Sequence, residues 1–340
     1  MSVSIGLIGG GNITDTHARA VRAAGGDVAA IYGTNIEKVQ RLSREHGGVA
    51  HAGLDAFLAH RPMDIVVVGS PSGLHAAHGI AAVRKGMHVL VEKPIDIKTE
   101  RADALIAEAE NAGVKLGVIF QDRMKPGIRR MKDMVDGGAL GKPILADARV
   151  KWYRPPEYYA NSKWRGRWLL DGGAALINQG IHTVDLLLWL FGDVTRVQAA
   201  MRTNLHSIEA EDTLAAVLEF ESGALGLLQA ATSIYPGYPR RIELTGSEGT
   251  MILEHDRLIE ARLRNGEGAA ISTESMDENP SASSPVVSDH RAHQAVLEDF
   301  IRAIETNSRP ACGGREGRRS LALIESIYRS AKTDTSGPPA

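Results

Sequence analysis

The chain has 340 residues, 43% of them hydrophobic and 24% charged, which is material for two soluble domains of ordinary size. Its 39 basic and 41 acidic residues are interspersed and leave a net charge of −2, so no basic block offers a nucleic-acid or anionic-membrane surface. The single Cys312 excludes an internal disulfide and a cysteine-built metal cluster, and no apolar run reaches the ~20 residues of a membrane span.

Taken in order, residues 3–8 form an apolar strand that runs into Gly9-Gly10-Gly11-Asn12-Ile13-Thr14. A helix is expected over 14–24, a strand over 28–32 and an amphipathic helix over 37–46. No secretory leader pattern is read ahead of Val3, and a cytoplasmic location is expected. A strand, a glycine turn, a helix and a second strand form the context that a dinucleotide fingerprint requires. Gly9 would allow the tight turn, and Gly11 would let the backbone approach a pyrophosphate at the helix N-terminus, with Asn12 and Ile13 beside it. Thr14 stands where a third glycine is usual.

Strand and helix continue to alternate: strand 64–69, helix 75–85, strand 87–91, helix 100–112 and strand 115–120. Nearly all-apolar strands separated by helices indicate a parallel sheet covered on both faces, with ligands beyond the carboxyl ends of its strands. Ser70, Pro71, Glu92 and Lys93 stand at such ends. Where an NAD site commonly carries Asp or Glu at the end of its second strand, this chain has Gly33-Thr34-Asn35, with Lys38 and Arg41 following. The cofactor expected is NADP or NAD, with the lean toward NADP. The competing reading makes Lys38 and Arg41 solvated helix residues.

From residue 123 the pattern changes. A helix over 128–136 precedes a strand over 144–152, a long loop over 155–175, a helix over 174–191 and turn-punctuated strands over 194–203, 212–220, 223–232, 239–245 and 249–255. Strands in consecutive runs indicate an antiparallel sheet. Residues 277–289 are Ser/Pro-rich and acidic, an expected exposed loop; helices over 290–305 and 314–331 and a frayed tail close the chain. The expected division is 1–122, 123–332 and a tail over 333–340.

Three of the four tryptophans and three of the seven tyrosines fall between Trp152 and Trp168. Trp152, Tyr158 and Trp164 would offer apolar surface to a sugar ring, with Arg154 and Arg165 donating to its hydroxyls; alternatively these aromatics pin the loop to the sheet. Asn178 and His182 stand four apart on the expected 174–191 helix and would share a face, with Asp185 a turn further on. Gln121 and Arg123, at the end of the last parallel strand, are candidates for the pocket wall. An imidazole and a strand-end ammonium directed at one hydroxyl make an acid/base pair for alcohol oxidation. His75 and His78 have no evident third ligand partner, so no metal is expected.

These motifs together resemble the glucose–fructose oxidoreductase / inositol dehydrogenase / rhizopine-catabolism family (Gfo/Idh/MocA). The resemblance rests on Gly9 to Ile13, Ser70-Pro71 with His75, His88 to Pro94, Gly138 to Pro143, Gly172-Gly173 with Asn178 to Asp185, and Gly246 to Gly249. It implies an N-terminal Rossmann domain followed by an α+β domain with a large, mostly antiparallel open sheet that assembles dimers or tetramers. It further implies hydride transfer between nicotinamide and a carbinol of a sugar, sugar acid or inositol. Lys93 and His182 would then be catalytic, the Lys93–Pro94 bond often cis, and His75 near the cofactor ribose. Many members carry Asp where this chain has Asn178, and a neutral amide does not stabilise an imidazolium as a carboxylate does. A cofactor-sensing regulator and a sugar–sugar oxidoreductase with tightly held NADP are the rival functions.

Overall fold

The computed structural model describes residues 2–266 and 289–333. The expected acidic loop at 277–289, apart from Asp289, and the tail beyond Thr333 lie outside them. The described chain divides into two units.

The first unit comprises residues 1–121, 169–172 and 286–321. In chain order it carries β1 (Ser4–Ile8), α1 (Asn12–Ala23), β2 (Asp27–Tyr32), α2 (Ile36–His46), β3 (Val49–His51), α3 (Leu54–Leu58), β4 (Ile65–Val68), α4 (His75–Val83), β5 (His88–Glu92), α5 (Thr99–Asn111) and β6 (Leu116–Ile119). The strands form a parallel sheet in the order β3-β2-β1-β4-β5-β6, the Rossmann order, with its switch point between β1 and β4. Every residue of β4 and β6 is buried, as the unbroken apolar runs require for a sheet covered on both faces. The short β3 and α3 carry too little periodicity to be read from sequence.

The second unit comprises residues 122–168, 173–285 and 322–340. It opens with α6 (Pro126–Asp136), β7 (Pro143–Lys151) and the short α7 (Pro156–Ala160), then a π-helical turn over Ala175–Gly180 that passes into α8 (Ile181–Phe191). Strands β8 (Val194–Arg202), β9 (Thr213–Phe220), β10 (Leu225–Ala231), β11 (Arg241–Gly246), β12 (Gly249–Glu254) and β13 (Arg257–Leu263) complete it. The sheet order is β13-β12-β11-β7-β10-β9-β8. Only the β7–β10 pair is parallel; the other pairings are antiparallel. Inward residues such as Leu214, Ala216 and Leu218 are buried, whereas Ile144, Leu145, Val217, Leu225 and Leu227 on β7, β9 and β10 are 40–50% exposed.

The closing helices α9 (Arg291–Glu305) and α10 (Gly314–Lys332) depart from the expected division. α9 and the first part of α10 belong to the first unit: Phe300 crowds Gly117 on β6, and Cys312 O accepts from Val118 N at 3.0 Å. An amphipathic helix must cover some sheet face, but its sequence does not say which sheet. No helix of the described residues is long and apolar enough to cross a membrane.

Candidate active site

In the first unit the glycine turn is made of backbone. Gly9 N donates to Tyr32 O at 2.7 Å, and φ at Gly9 is +141°; a Cβ there would lie 2.7 Å from both Gly69 O and Thr14 Oγ1. Only glycine accepts that conformation and that approach. Gly11 precedes α1 with extended backbone, has no atom within 4 Å of a built Cβ, and is exposed together with Asn12, while Ile13 is half-buried. An uncovered helix start following a turn without side chains is the form of a phosphate site, so the residues present fit a dinucleotide.

At the end of β2 a Cβ on Gly33 would meet Val39 Cγ2 at 3.0 Å and Gly10 N at 3.3 Å, so this glycine is fitted to the turn itself. Asn35 caps α2: its Oδ1 accepts from Lys38 N at 3.0 Å. Thr34 and the Lys38 side chain are exposed, and Arg41 faces Glu45 at 3.9 Å.

His75 opens α4 and is buried. It is 1% exposed, with Nδ1 2.7 Å from Pro94 O and Nε2 2.7 Å from Ser70 O. Both ring nitrogens are directed at backbone carbonyls, so the ring ties the Ser70-Pro71 turn to the Lys93-Pro94 segment. Ser70 Oγ in turn bonds His78 Nδ1 at 2.9 Å.

Glu92 and Lys93 end β5, and the Lys93–Pro94 bond is cis. Glu92 is buried with His17 Nε2 at 3.0 Å and His293 Nε2 at 3.7 Å, and its Oε2 accepts from Lys93 N at 3.1 Å. Burial alone would raise its pKa; the hydrogen bond and charge of His17, with His293 and Lys93, outweigh it and hold the carboxyl at about 2. Glu92 is therefore an interior anchor for the strand end that bears Lys93. Gln121, half-buried, closes this unit after β6.

In the second unit, Asn178 lies in the π-helical turn and His182 in the first turn of α8. A π-helical turn thus leads directly into the helix that bears His182; such turns recur at functional sites. Asn178 Oδ1 accepts from Gln179 Nε2 at 3.0 Å. Glu211 receives the start of the turn: Oε1 accepts from Leu176 N and Tyr328 OH, each at 2.8 Å, and Oε2 from Ala174 N at 3.2 Å.

The carboxylate beside His182 is Asp122, which sequence reasoning did not single out. His182 Nδ1 lies 3.8 Å from Asp122 Oδ2; Arg240 Nη1 donates to the same oxygen at 2.7 Å, and Lys125 Nζ is 2.6 Å from Oδ1. Burial pushes the Asp122 pKa up, but Arg240, Lys125 and His182 together pull it well below the ordinary value, so it stays ionised. Asp256 bonds both cations from the other side. The only clue in sequence was a position between two residues already proposed for the pocket, Gln121 and Arg123.

Arg123 and Asp185 meet in the interior of the second unit. They form a buried bidentate pair, Nε to Oδ2 at 2.7 Å and Nη2 to Oδ1 at 2.6 Å, with Arg123 stacked 5.1 Å over Trp189. Each compensates the other's buried charge and ties the chain after β6 to α8. The aromatic loop divides. Tyr159 and Trp168 pin it, through Tyr159 OH to Thr232 Oγ1 at 2.9 Å and Trp168 Nε1 to Glu209 O at 3.0 Å. Trp152, Arg154, Tyr158, Trp164 and Arg165 gather into one cation–aromatic cluster.

A parallel sheet in Rossmann order with a dinucleotide turn, and a second unit with a histidine-bearing helix on a mixed sheet, define a nicotinamide-dependent oxidoreductase architecture. Residues 3–120 match the model of the oxidoreductase family, NAD-binding Rossmann fold, and residues 128–252 that of the GFO/IDH/MocA C-terminal domain. The chain is 27% identical over 336 residues to 1,5-anhydro-D-fructose reductase of Ensifer adhaerens, covering 96% of each. It is 31% identical over 265 residues to inositol 2-dehydrogenase 3 of Saccharopolyspora erythraea, covering 74% of this chain and 73% of that one. The WlbA dehydrogenase of Bordetella pertussis, solved with NADH and UDP-GlcNAcA, superposes with a TM-score of 0.86 at 31% identity, covering 98% and 97% of the two chains. The chain belongs to the GFO/IDH/MocA family of NAD-binding oxidoreductases.

Proposed function

We propose that this oxidoreductase transfers hydride between a nicotinamide cofactor and a carbinol carbon of a sugar or polyol, with His182 as proton acceptor and Lys93 as partner to the reacting oxygen. The observation that carries the reading is the buried, ionised Asp122 beside His182. Its charge compensates the positive charge that the ring acquires on taking a hydroxyl proton, work that Asn178 as a neutral amide does not do. The names of the relatives, an anhydrofructose reductase and an inositol dehydrogenase, support a sugar or polyol substrate.

Gly9, Gly11, Asn12 and Ile13 would hold the dinucleotide's phosphates, and Thr34 and Lys38 its adenosine ribose. Bound there, the cofactor supplies the hydride acceptor. His182 removes the hydroxyl proton, Lys93 offsets the negative charge that develops on the oxygen, and Asn178 orients the hydroxyl. Lys93→Ala and His182→Ala are each expected to lower kcat by about 10²–10⁴-fold while leaving NADH or NADPH affinity within a few fold. Undiminished turnover in either variant overturns its assignment.

Gly33-Thr34-Asn35 lacks a carboxylate and Lys38 is exposed in the first turn of α2, which favours NADPH over NADH. Titration with each, followed by the fluorescence of the reduced nicotinamide, tests this; tighter NADH binding refutes it, and binding of neither removes the basis for the enzyme. The exposed apolar residues of β7, β9 and β10 support assembly of copies through the open sheet, which light scattering would read as a dimer or tetramer.

A further inference from the structure

The loop between β7 and the π-helical turn gathers positive charge that the proposed chemistry leaves unused. Arg154 is 1% exposed, 5.0 Å from the Trp152 ring and 5.8 Å from the Tyr158 ring. It donates to Tyr153 O at 3.0 Å and to Gln179 Oε1 at 2.9 Å, both neutral acceptors. Arg165 stands 4.6 Å from the same Tyr158 ring and 4.8 Å from Trp164. Two guanidinium groups thus share one phenol ring, an arrangement that costs like-charge repulsion unless an anion joins it.

Among the described residues the guanidinium of Arg165 has no carboxylate partner and no hydrogen bond; only its backbone N–H is engaged, by Ser162 Oγ at 3.2 Å. The indole N–H of Trp152 is likewise a buried donor without an acceptor there. The cluster thus holds two residues, Arg165 and Trp152, with donors lacking an acceptor among the described residues. It is also wired toward the proposed chemistry: Gln179 Nε2 donates to Tyr158 OH at 2.9 Å and to Asn178 Oδ1 at 3.0 Å, four residues before His182. Burial pulls the Arg154 pKa below the ordinary arginine value; Tyr158, which also hydrogen-bonds it, and Tyr159 oppose that shift, while the nearby charge of Arg165 adds to it.

We propose that Arg165, with Arg154 beside the same Tyr158 ring, is an anion subsite, and that the substrate is an acidic sugar whose charged group docks on Arg165. The word substrate rests on the dehydrogenase reading; the anion subsite does not. A planar guanidinium offers paired N–H donors to the two oxygens of a carboxylate, and it also serves a phosphoryl group.

The test is calorimetric titration of the full chain, saturated with reduced cofactor, by D-glucuronate, D-glucose 6-phosphate, D-glucuronamide and D-glucose. One acidic member is expected to bind about tenfold or more tightly than its neutral counterpart, and which acid it is separates a carboxylate from a phosphoryl docking group. In Arg165→Gln that ratio should fall toward one, and in Arg165→Lys it should stay intermediate, since the charge remains without the fork. The lysine variant decides the matter if the glutamine variant fails to fold. No preference for either acid, or a preference unchanged in both variants, overturns the subsite. An Arg165-dependent preference alongside undiminished turnover in Lys93→Ala would sink the catalytic assignment and leave the subsite standing.

Discussion

Glu92 at the end of β5 and Glu211 just ahead of β9 are both buried carboxyls, each set against the segment that bears a proposed catalytic residue. Glu92 is held at about 2, whereas Glu211 is pushed up to about 7. Burial acts on both in the same sense and is the largest influence on each. The difference lies in what offsets it. Glu92 meets His17, His293 and Lys93, whose charges favour the carboxylate. Glu211 meets neutral donors, the backbone N–H groups of Ala174 and Leu176 and the Tyr328 hydroxyl, and these do not compensate the loss of water. Position in the interior thus leaves the charge state open, and the neighbouring charges decide it. The strand end bearing Lys93 is fastened ionically, while the turn bearing Asn178 hangs on a group that titrates near neutrality.

Removing the nearest partner of Glu92 should have the largest effect. His17→Phe leaves the Glu92 carboxylate with His293 at 3.7 Å, and at pH 7 is expected to cost about 3 kcal/mol or more, read as a lowered denaturant midpoint. Because the folded pKa of Glu92 is depressed, its stabilisation is present above about 4.5 and is lost as pH falls toward about 2. Wild type and variant should therefore converge across that window. A wild-type midpoint for the variant at pH 7 would break the ionic half of the comparison.

Glu211 works in the opposite sense. Its unfolded carboxyl ionises from about 4.5 upward and the folded one only near about 7, so the wild type loses stability as pH rises between those values. Glu211→Gln removes that slope. Its destabilisation relative to wild type should be greatest near pH 4.5 and shrink by about 3 kcal/mol by pH 7; parallel pH profiles would show that Glu211 does not titrate there. The smallest effect is expected from Tyr328→Phe, which deletes one neutral donor to Glu211 Oε1 and should cost about 1 kcal/mol. It should also move the upper end of the Glu211 window to higher pH, and a window moved downward would contradict the role given to the hydroxyl.

The parallel unit was legible wherever local pattern and environment agree. The apolar runs of β1, β4, β5 and β6 and the glycine turn need nothing remote to be recognised, because complete burial and positive φ impose residue types directly. The same holds for the alternation along β9 and β10. Other features were legible as places but not as roles. Glu92 stands at a strand end and His75 at the start of α4, and both are braced in the interior; Arg123 and Asp185 are separated by 62 residues and neutralise one another.

By itself the sequence determined the main run of strands and helices and the dinucleotide turn, since each is written in residues close along the chain. Tertiary structure alone decided that α9 covers the first sheet, that a π-helical turn carries Asn178 ahead of α8, and that the carboxylate beside His182 is Asp122, held by Arg240 from 118 residues away. Those outcomes depend on which distant charges and apolar faces meet. Packing and charge compensation act across space, and the chain records them only as single residues without a local pattern.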